Sequence, residues 1–210
     1  IEENEKRTIR KILFEGNENM SGKKLTKKME TAPWRFWRFW SKRSRYRPSV
    51  LEEDLNKLRA AYRDEGFLDV KIEQNGVALS PDGKKGLNLT IKVVEGERAF
   101  FGEAFLVGNA VITTEELFAG SKIKRGDPYS PSLLSDERDR IRKRYGEKGY
   151  LDARVLSVRK PNLESGQIDM RFEITETNKF TVNSIQVRGN DKTKTTAIIR
   201  ELALAPGETF

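Results

Sequence analysis

Carboxylates and lysines are the side chains available for acid–base chemistry in this chain, because its 210 residues include no histidine and no cysteine. The lack of both excludes thiol catalysis, imidazole general-base catalysis and nearly all zinc or transition-metal sites. Adjacent carboxylates remain in runs such as Glu52-Glu53-Asp54 and Glu115-Glu116. We predict that both lie in first turns of helices, where a carboxylate complements the helix dipole. The sequence therefore predicts no acid–base pair, no metal site and no cofactor, and we expect the protein not to be an enzyme.

A second group of distinctive residues is an aromatic and basic segment between Trp34 and Pro48, which contains no acidic residue. Its candidate partner-binding or surface residues are Trp34, Phe36, Trp37, Arg38, Trp40 and Arg43. Aromatic rings beside basic side chains are typical of single-strand nucleic-acid binding, and the same combination suits an anionic lipid surface. The segment can also fold its rings onto its own domain or bind a protein partner. Of these interpretations the sequence favours the folded loop most, and binding of a protein partner next.

The overall composition narrows the class of protein further. Lys and Arg outnumber Asp and Glu by 40 to 32, a net charge of +8, while only 36% of the residues are hydrophobic. A chain of this length and composition builds one or two small domains rather than one large core. No apolar stretch approaches the roughly 18 residues of a membrane-spanning helix. The acidic start Ile1–Glu5 leads us to expect that a signal peptide is absent or removed, and that the chain is a fragment.

Two short motifs recur along the chain in a fixed order. An apolar strand that ends in Gly-Asn occurs at Ile12–Asn17, at Phe105–Asn109 and at Ile185–Asn190. A Tyr-x-x-x-Gly-aromatic pattern occurs at Tyr62–Phe67 and at Tyr145–Tyr150. Glycine in each pattern suits the left-handed backbone that ends a strand or a helix. Such repetition indicates a tandem of similar structural units.

The elements around these motifs define the unit. Helical periodicity precedes each Tyr-x-x-x-Gly pattern, and two strands with alternating apolar residues follow it. The unit is therefore β-α-α-β-β, an α+β layer pair in which two helices cover one face of a three-stranded sheet. We predict two such repeats at residues 1–96 and 97–178, and an incomplete third repeat at 179–210. This last segment is too short to bury a core of its own, so it should extend the second repeat or stay partly ordered.

The Gly-Asn strand ends, the Gly-aromatic helix ends and the element order resemble polypeptide-transport-associated (POTRA) repeats. Three further segments are similar to the third, fourth and beginning of the fifth repeats of the BamA family, namely Ala32–Trp34, Ile123–Tyr129 and Phe180–Val182. The resemblance covers nearly the whole chain. It departs from the family pattern at Arg138, on a usually apolar helix face, and in the basic loop after Trp34.

The resemblance implies a periplasmic scaffold that receives unfolded outer-membrane proteins and helps to insert them. It also implies accessory lipoproteins docked on the repeats, and attachment to the outer membrane through a C-terminal barrel that this chain does not include. On this interpretation we expect no nucleic-acid partner. The alternative is a basic, aromatic-rich module that binds nucleic acid or an anionic lipid surface. The salt dependence of binding would separate the two interpretations, because binding to phosphate groups weakens steeply with added salt.

The sheet order of the family places the strand after each Gly-aromatic motif at an open edge. The candidate client-binding residues are Leu68, Asp69, Val70, Lys71, Ile72, Glu73 and Gln74 in the first repeat, and Leu151, Ala153, Val155 and Ser157 in the second. An open edge pairs with an incoming strand through backbone hydrogen bonds, which suits a site that accepts many sequences. Asp69, Lys71 and Glu73 equally suit an edge that is only guarded against aggregation.

Overall fold

The computed structural model describes residues 7–34, 42–79, 86–163, 165–192, 194–202 and 205–208. Contacts divide the chain into two compact units, one formed by residues 1–100 with 128–131, and the other by residues 101–127 with 132–210. The predicted repeat boundaries follow the sequence motifs, whereas these units follow the contacts. The two divisions differ in three places, because residues 97–100 and 128–131 belong to the first unit and residues 179–210 belong to the second.

The first unit consists of a sheet and two helices. Its elements are β1 (Thr8–Glu15), α1 (Gly22–Lys28), α2 (Pro48–Arg63), β2 (Lys71–Leu79) and β3 (Gly86–Val94), with a short 3-10 helix at Lys42–Ser44. β3 is the central strand, parallel to β1 and antiparallel to β2. Alternate residues of β3 are buried together with Leu25 of α1 and with Leu55, Leu58 and Tyr62 of α2. The period-2 pattern of the strand and the helical stripe thus meet in one core.

The second unit repeats this arrangement. Its elements are β4 (Phe101–Val107), α3 (Thr114–Phe118), α4 (Pro131–Glu147), β5 (Arg154–Asn162), β6 (Gln167–Thr175) and α5 (Thr195–Arg200). β6 is central, parallel to β4 and antiparallel to β5. Leu117 of α3, Ile141 of α4 and Phe172 of β6 are fully buried. The predicted α+β class and the β-α-α-β-β order are therefore confirmed.

The repeated Gly-Asn motif has the same structural role in both units. Gly16 and Gly108 have φ angles of 78° and 86°, which favour glycine. A Cβ atom at either position would lie 2.2 Å from a carbonyl oxygen of the central strand, that of Val93 or of Ile174. The glycine therefore lets the end of the first strand pass close to the neighbouring strand.

The Tyr-x-x-x-Gly-aromatic motif closes the long helix of each unit, as predicted. Gly66 has a φ of 98°, and the N–H of Phe67 donates to the Tyr62 carbonyl at 3.0 Å. The N–H of Tyr150 donates to the Tyr145 carbonyl at 2.9 Å in the same way. The two rings of each motif meet edge to face, with centroids 5.9 Å apart in the first unit and 6.2 Å in the second. This apolar contact is the usual companion of a Schellman helix end.

One predicted carboxylate run lies elsewhere than expected. α2 begins at Pro48 and has no acidic residue in its first turn, so Glu52-Glu53-Asp54 falls in the second turn. The prediction was wrong because the helix extends further toward the N-terminus than these carboxylates suggested. Glu115 and Glu116 do lie in the first turn of α3, as predicted.

Residues 179–210 are grouped with the second unit. The N–H of Phe180 donates to the Gly149 carbonyl, at the end of α4, at 2.8 Å. Val182 makes two backbone bonds within the segment, donating to Glu208 at 2.8 Å and accepting from Gly207 at 2.7 Å. The described part of this segment contains one short helix, α5, in which no residue is buried. The segment therefore extends the second unit without a core of its own.

Candidate functional site

The predicted binding edges are strands that pair on one side only. β2 pairs with β3, and β5 pairs with β6. The other outer strand of the first sheet is covered on its free side, because the Ile9 carbonyl accepts from the N–H of Trp34 at 2.9 Å and the Arg7 carbonyl from that of Tyr46 at 3.0 Å. In the described part of the chain, neither β2 nor β5 has such backbone cover. These two strands are the free edges.

The structure places the first-unit candidates partly before the edge strand. Leu68 and Asp69 lie in a turn, and Val70 is buried immediately before β2. Lys71, Ile72, Glu73 and Gln74 are in β2. The edge strand therefore starts three residues later than predicted and extends five residues further, to Leu79. The turn that follows the Gly-aromatic helix end uses those three residues to reverse the chain.

The second-unit candidates show the same offset. Leu151 lies in the corresponding turn, and Ala153 is buried next to the strand. Val155 and Ser157 are in β5, which extends to Asn162. The predicted edge, which ended near Ser157, thus covers only half of the strand. The second half of β5 was missed because Arg159, Lys160 and Pro161 interrupt the alternation of apolar residues that indicates a strand.

The two edges differ in how much the protein itself covers them. In the first unit, Arg59 of α2 donates from Nη2 to the Ile72 carbonyl of β2 at 2.6 Å. The residue at the equivalent position of α4 is Arg142, which instead pairs with Asp139 at 2.9 Å. No side chain in the described part of the chain donates to a carbonyl of residues 154–161. β5 is therefore the more open edge.

The charges on the two edges also differ. β2 carries Lys71 and Glu73, whereas β5 carries Arg154, Arg159 and Lys160 and no carboxylate. Within the described residues, none of these three cations forms an ion pair. β5 is therefore an edge of uniformly positive charge, which is complementary to acidic side chains.

Two of the six candidate residues of the aromatic and basic segment fall within the described chain. The Trp34 ring lies under the Arg10 guanidinium at 4.7 Å from its centroid. Arg43 donates to the Glu30 carbonyl at 2.7 Å and to the Met29 carbonyl at 2.9 Å, just after α1. Both therefore contact their own unit. Phe36, Trp37, Arg38 and Trp40 lie outside the described residues.

Buried carboxylates are features that sequence reasoning missed. Asp54 is fully buried and accepts from the N–H groups of Glu30 at 2.6 Å and Thr31 at 2.8 Å. Glu137, at the same position of α4, is buried and pairs with Arg140 at 2.7 Å. The sequence feature that could have revealed them is the recurrence of an acidic residue at equivalent positions of α2 and α4.

A tyrosine and a carboxylate also meet in each unit. Tyr145 donates to Glu176 at 2.6 Å, and Glu176 accepts from the N–H of Val111 at 2.8 Å. In the first unit the buried Tyr62 hydroxyl lies by Glu95 without a hydrogen bond of ordinary geometry. Burial, with the carboxylate adding to it, raises the pKa of each tyrosine well above its ordinary value of 10.0. These groups support the fold and lie away from the edges.

The described residues hold no cluster of three or more potential metal ligands. Within the same residues, no helix has the length and apolar character needed to cross a membrane.

Comparison with known proteins gives the family. The model of the POTRA family, described as a surface antigen variable number repeat, matches residues 7–96 and 99–177. The chain belongs to the POTRA family. The two matched segments correspond closely to the two predicted repeats, and the predicted family is confirmed.

Relatives of this POTRA chain are outer-membrane assembly factors. It is 27% identical over 215 residues to an outer membrane protein assembly factor of Treponema pallidum, covering 100% of this chain and 25% of that protein. It is also 27% identical over 203 residues to BamA of Neisseria meningitidis serogroup B, covering 96% of this chain and 25% of that protein. The chain spans about a quarter of the length of these relatives.

Solved structures share the fold of the POTRA chain. The crystal structure of Haemophilus influenzae BamA POTRA3-5 superposes with a TM-score of 0.63 at 22% identity, covering 97% of this chain and 80% of that one. BamA of Haemophilus ducreyi lacking POTRA domains 1-3 gives a TM-score of 0.56 at 15% identity, covering 82% and 30%. The predicted resemblance to BamA repeats and the predicted periplasmic location are confirmed with the family.

Proposed function

We propose that this POTRA chain is a non-catalytic scaffold of outer-membrane protein assembly, which binds unfolded outer-membrane proteins by β-augmentation. Accessory lipoproteins of the assembly complex dock on the same repeats. The family assignment and the relatives support the role in assembly. The open edge of β5 carries the binding mechanism, because its backbone donors and acceptors have no cover in the described part of the chain.

The energetics of such an edge suit transient binding. A client strand that forms four backbone hydrogen bonds gains roughly 2 to 6 kcal/mol. Ordering the client costs about 1 to 2 kcal/mol for each residue fixed. The two contributions nearly cancel, so the complex is weak unless side-chain contacts add to it. A scaffold that passes clients onward needs such reversible binding.

The ladder geometry indicates which backbone groups face the client. Arg59 reaches the Ile72 carbonyl from outside the sheet, so Ile72 points its backbone groups to the free edge. Ile72 lies opposite Val93, and Val155 lies opposite Ile174 at the equivalent position of the second sheet. Residues of an antiparallel strand alternate in the direction of their N–H groups. We therefore infer that Val155 and Ser157 present their N–H groups to the client.

Proline substitution tests the open edge. Ser157→Pro removes an outward N–H and keeps the ladder bonds to β6, whereas proline at Leu156 would remove a ladder donor. We expect Ser157→Pro to weaken binding of a peptide copied from a transmembrane strand of an outer-membrane protein by about tenfold. Fluorescence anisotropy with the labelled peptide measures the affinity.

Ser157→Ala is the matched control, since it removes the same hydroxyl but keeps the N–H. It should bind the peptide as the parent chain does, and circular dichroism should show that both variants are folded. Equal peptide affinity of the folded proline and alanine variants would contradict β-augmentation at β5. It would leave the family assignment intact.

A further inference from the structure

The outward face of the second sheet carries a cluster of exposed apolar side chains. Phe105 and Val107 of β4 are 53% and 52% exposed, and Leu156 and Val158 of β5 are 61% and 38% exposed. The register aligns them in two rows across β6, Phe105–Arg171–Val158 and Val107–Glu173–Leu156. The helices of the unit cover the opposite face, so these side chains form one continuous surface, which we call the outer apolar face.

The first unit shows that the fold itself does not require this face. The row of the first sheet equivalent to Val107–Glu173–Leu156 is Glu15–Lys92–Glu73. Charged side chains therefore replace the apolar pair at the same positions of the same fold. Exposure of large apolar groups to water is unfavourable, and a contiguous patch of them marks a surface that contacts another molecule. In the other equivalent row, Leu13–Thr90–Gly76, Leu13 is the one large apolar residue and is 37% exposed, so the first sheet carries one such side chain where the second carries four.

The charges around the face indicate the chemistry of its partner. Arg154 and Lys160 lie on the same side of β5 as Leu156 and Val158, one beyond each end of the apolar pair. Neither cation forms an ion pair within the described residues. The face thus presents two free positive charges about 20 Å apart, at roughly 3.3 Å per strand residue.

The carboxylates of the face are already engaged. Glu173 pairs with Arg171, and Glu103 pairs with Arg125 at 2.7 Å. Asp169 accepts from the N–H of Glu103 at 2.7 Å and from the Asn162 side chain at 2.9 Å. The matching negative charges must therefore come from the partner. A second copy of this chain docked face to face would bring the same paired carboxylates and could not supply them.

We propose that the outer apolar face is the docking surface for an amphipathic helix of a partner protein, with carboxylates toward both ends of its apolar stripe. A helix covers a sheet face as α3 and α4 cover the other side, and about 13 residues span 20 Å. A depression of about 480 Å³, lined by Phe105, Val158, Lys160, Asp169 and Arg171 among others, receives one large apolar side chain as an anchor.

The central ion pair favours a protein over a membrane. Arg171 and Glu173 lie in the middle of the apolar rows, so insertion into lipid would carry both charges into hydrocarbon at high cost. A protein interface accepts such a pair, because polar side chains and trapped water satisfy it. This docking uses the face of the sheet and is independent of strand pairing at its edge.

A pair of designed helices tests the proposal. The probe is a stapled helix of about 14 residues with leucines along one side and glutamates at both ends, and its counterpart carries lysines in place of the glutamates. We expect the glutamate helix to bind at least about tenfold more tightly than the lysine helix. Leu156→Glu and Lys160→Glu should each weaken it about tenfold, measured by fluorescence anisotropy at low salt.

Matched variants locate the effect. Lys71→Glu, at the first-unit position equivalent to Arg154, should leave helix binding unchanged, as should Ser157→Pro, which alters only the edge. Loss of helix binding in Ser157→Pro would assign the binding to strand pairing and overturn the proposal.

Three other results would also overturn it. The first is equal affinity for both helices, or none for the glutamate helix. The second is binding to phosphatidylglycerol vesicles that Leu156→Glu abolishes, which would make the face a lipid surface. The third is a dimer in sedimentation velocity that Leu156→Glu dissociates, which would make the partner a second copy.

Discussion

At the scale of single residues, the two units use one buried tyrosine and one carboxylate to close the core. Tyr145 donates to Glu176, which also holds the N–H of Val111 in the loop after the Gly-Asn turn. Glu95 holds the loop of the first unit in the same way, by accepting from the N–H of Asn19 at 3.0 Å. In the second unit Glu176 therefore joins the long helix, the end of the central strand and the turn, whereas in the first unit Glu95 bonds the turn and only lies beside Tyr62 of the long helix.

This arrangement predicts a loss of stability at alkaline pH. The pKa of Tyr145 is raised in the folded state, first by burial and then by Glu176. The unfolded chain ionises tyrosine near pH 10. The contribution of the protonated tyrosine is thus complete below about pH 10 and is lost as the pH rises above it. We expect Tyr145→Phe to lower the free energy of unfolding at about pH 8, and this deficit to shrink toward about pH 11.

Urea denaturation between about pH 8 and about pH 11 measures the free energy of unfolding of the parent chain and of Tyr145→Phe. Ile141→Val, which removes one buried methylene from the same helix and no ionisable group, serves as the control and should differ from the parent by a constant amount. A deficit of Tyr145→Phe that stays constant with pH would contradict the role of the raised pKa.

At the scale of elements, each unit fixes the end of its short helix to the long helix through a buried carboxylate. Asp54 of α2 accepts directly from the two N–H groups that follow α1. Glu137 of α4 instead holds Arg140, whose guanidinium donates to the carbonyls of Leu117 and Ala119 at the end of α3. Aspartate, the shorter acid, hydrogen-bonds the backbone directly. Glutamate, the longer acid, instead positions an arginine that hydrogen-bonds the backbone. Arg140 thus satisfies carbonyls that the C-terminal end of α3 leaves unpaired, whereas Asp54 satisfies N–H groups of the loop that follows α1.

Removal of the Asp54 carboxylate should therefore destabilise the first unit. Asp54→Ala leaves the N–H groups of Glu30 and Thr31 without this partner, the bond of Thr31 being buried and that of Glu30 half-buried. We expect a loss of about 2 kcal/mol in the free energy of unfolding. Chemical denaturation measures the loss. Glu53→Ala changes the exposed neighbour on the same helix and should cost no more than about 0.5 kcal/mol. Similar values for the two variants would show that the hydrogen bonds of Asp54 contribute little.

At the scale of the whole molecule, the chain passes between two units that share one fold. Residues 128–131 belong to the first unit although they follow β4 and α3 of the second in sequence. Tyr129 in this segment is buried, and its N–H donates to the Ala99 carbonyl at 3.0 Å. Ser130 donates to Asp64, at the end of α2, at 3.0 Å. The first unit is therefore completed by residues that a boundary at 96/97 would remove.

Truncation of Tyr129 should destabilise the first unit. We expect Tyr129→Ala to lower the stability of the first unit by about 3 kcal/mol, because a large buried side chain is lost. Hydrogen exchange should accelerate more in α2 than in α4, while Leu163→Ala, at an almost fully exposed residue, should change neither. Equal acceleration in both helices would contradict the assignment of 128–131 to the first unit.

Much of the fold could be predicted because its signals are local. The strand-turn Gly-Asn motif and the Gly-aromatic helix end depend on backbone conformations that glycine favours, and each recurs at the same place in both units. Periodicity then distinguished the helices from the strands. The start of each edge strand was missed by three residues, since Leu68 and Leu151 fit an alternating pattern equally well in a turn or in a strand.

The sequence by itself determined the repeat, the element order and the family, because turn chemistry and apolar periodicity act between residues close along the chain. Tertiary structure decided which edge is open, through the reach of Arg59 to Ile72 and the absence of an equivalent contact on β5 in the described residues. It also decided that Phe105, Val107, Leu156 and Val158 share one exposed face. These features arise where strands distant in sequence lie side by side, and pairing register, not local pattern, sets which side chains meet.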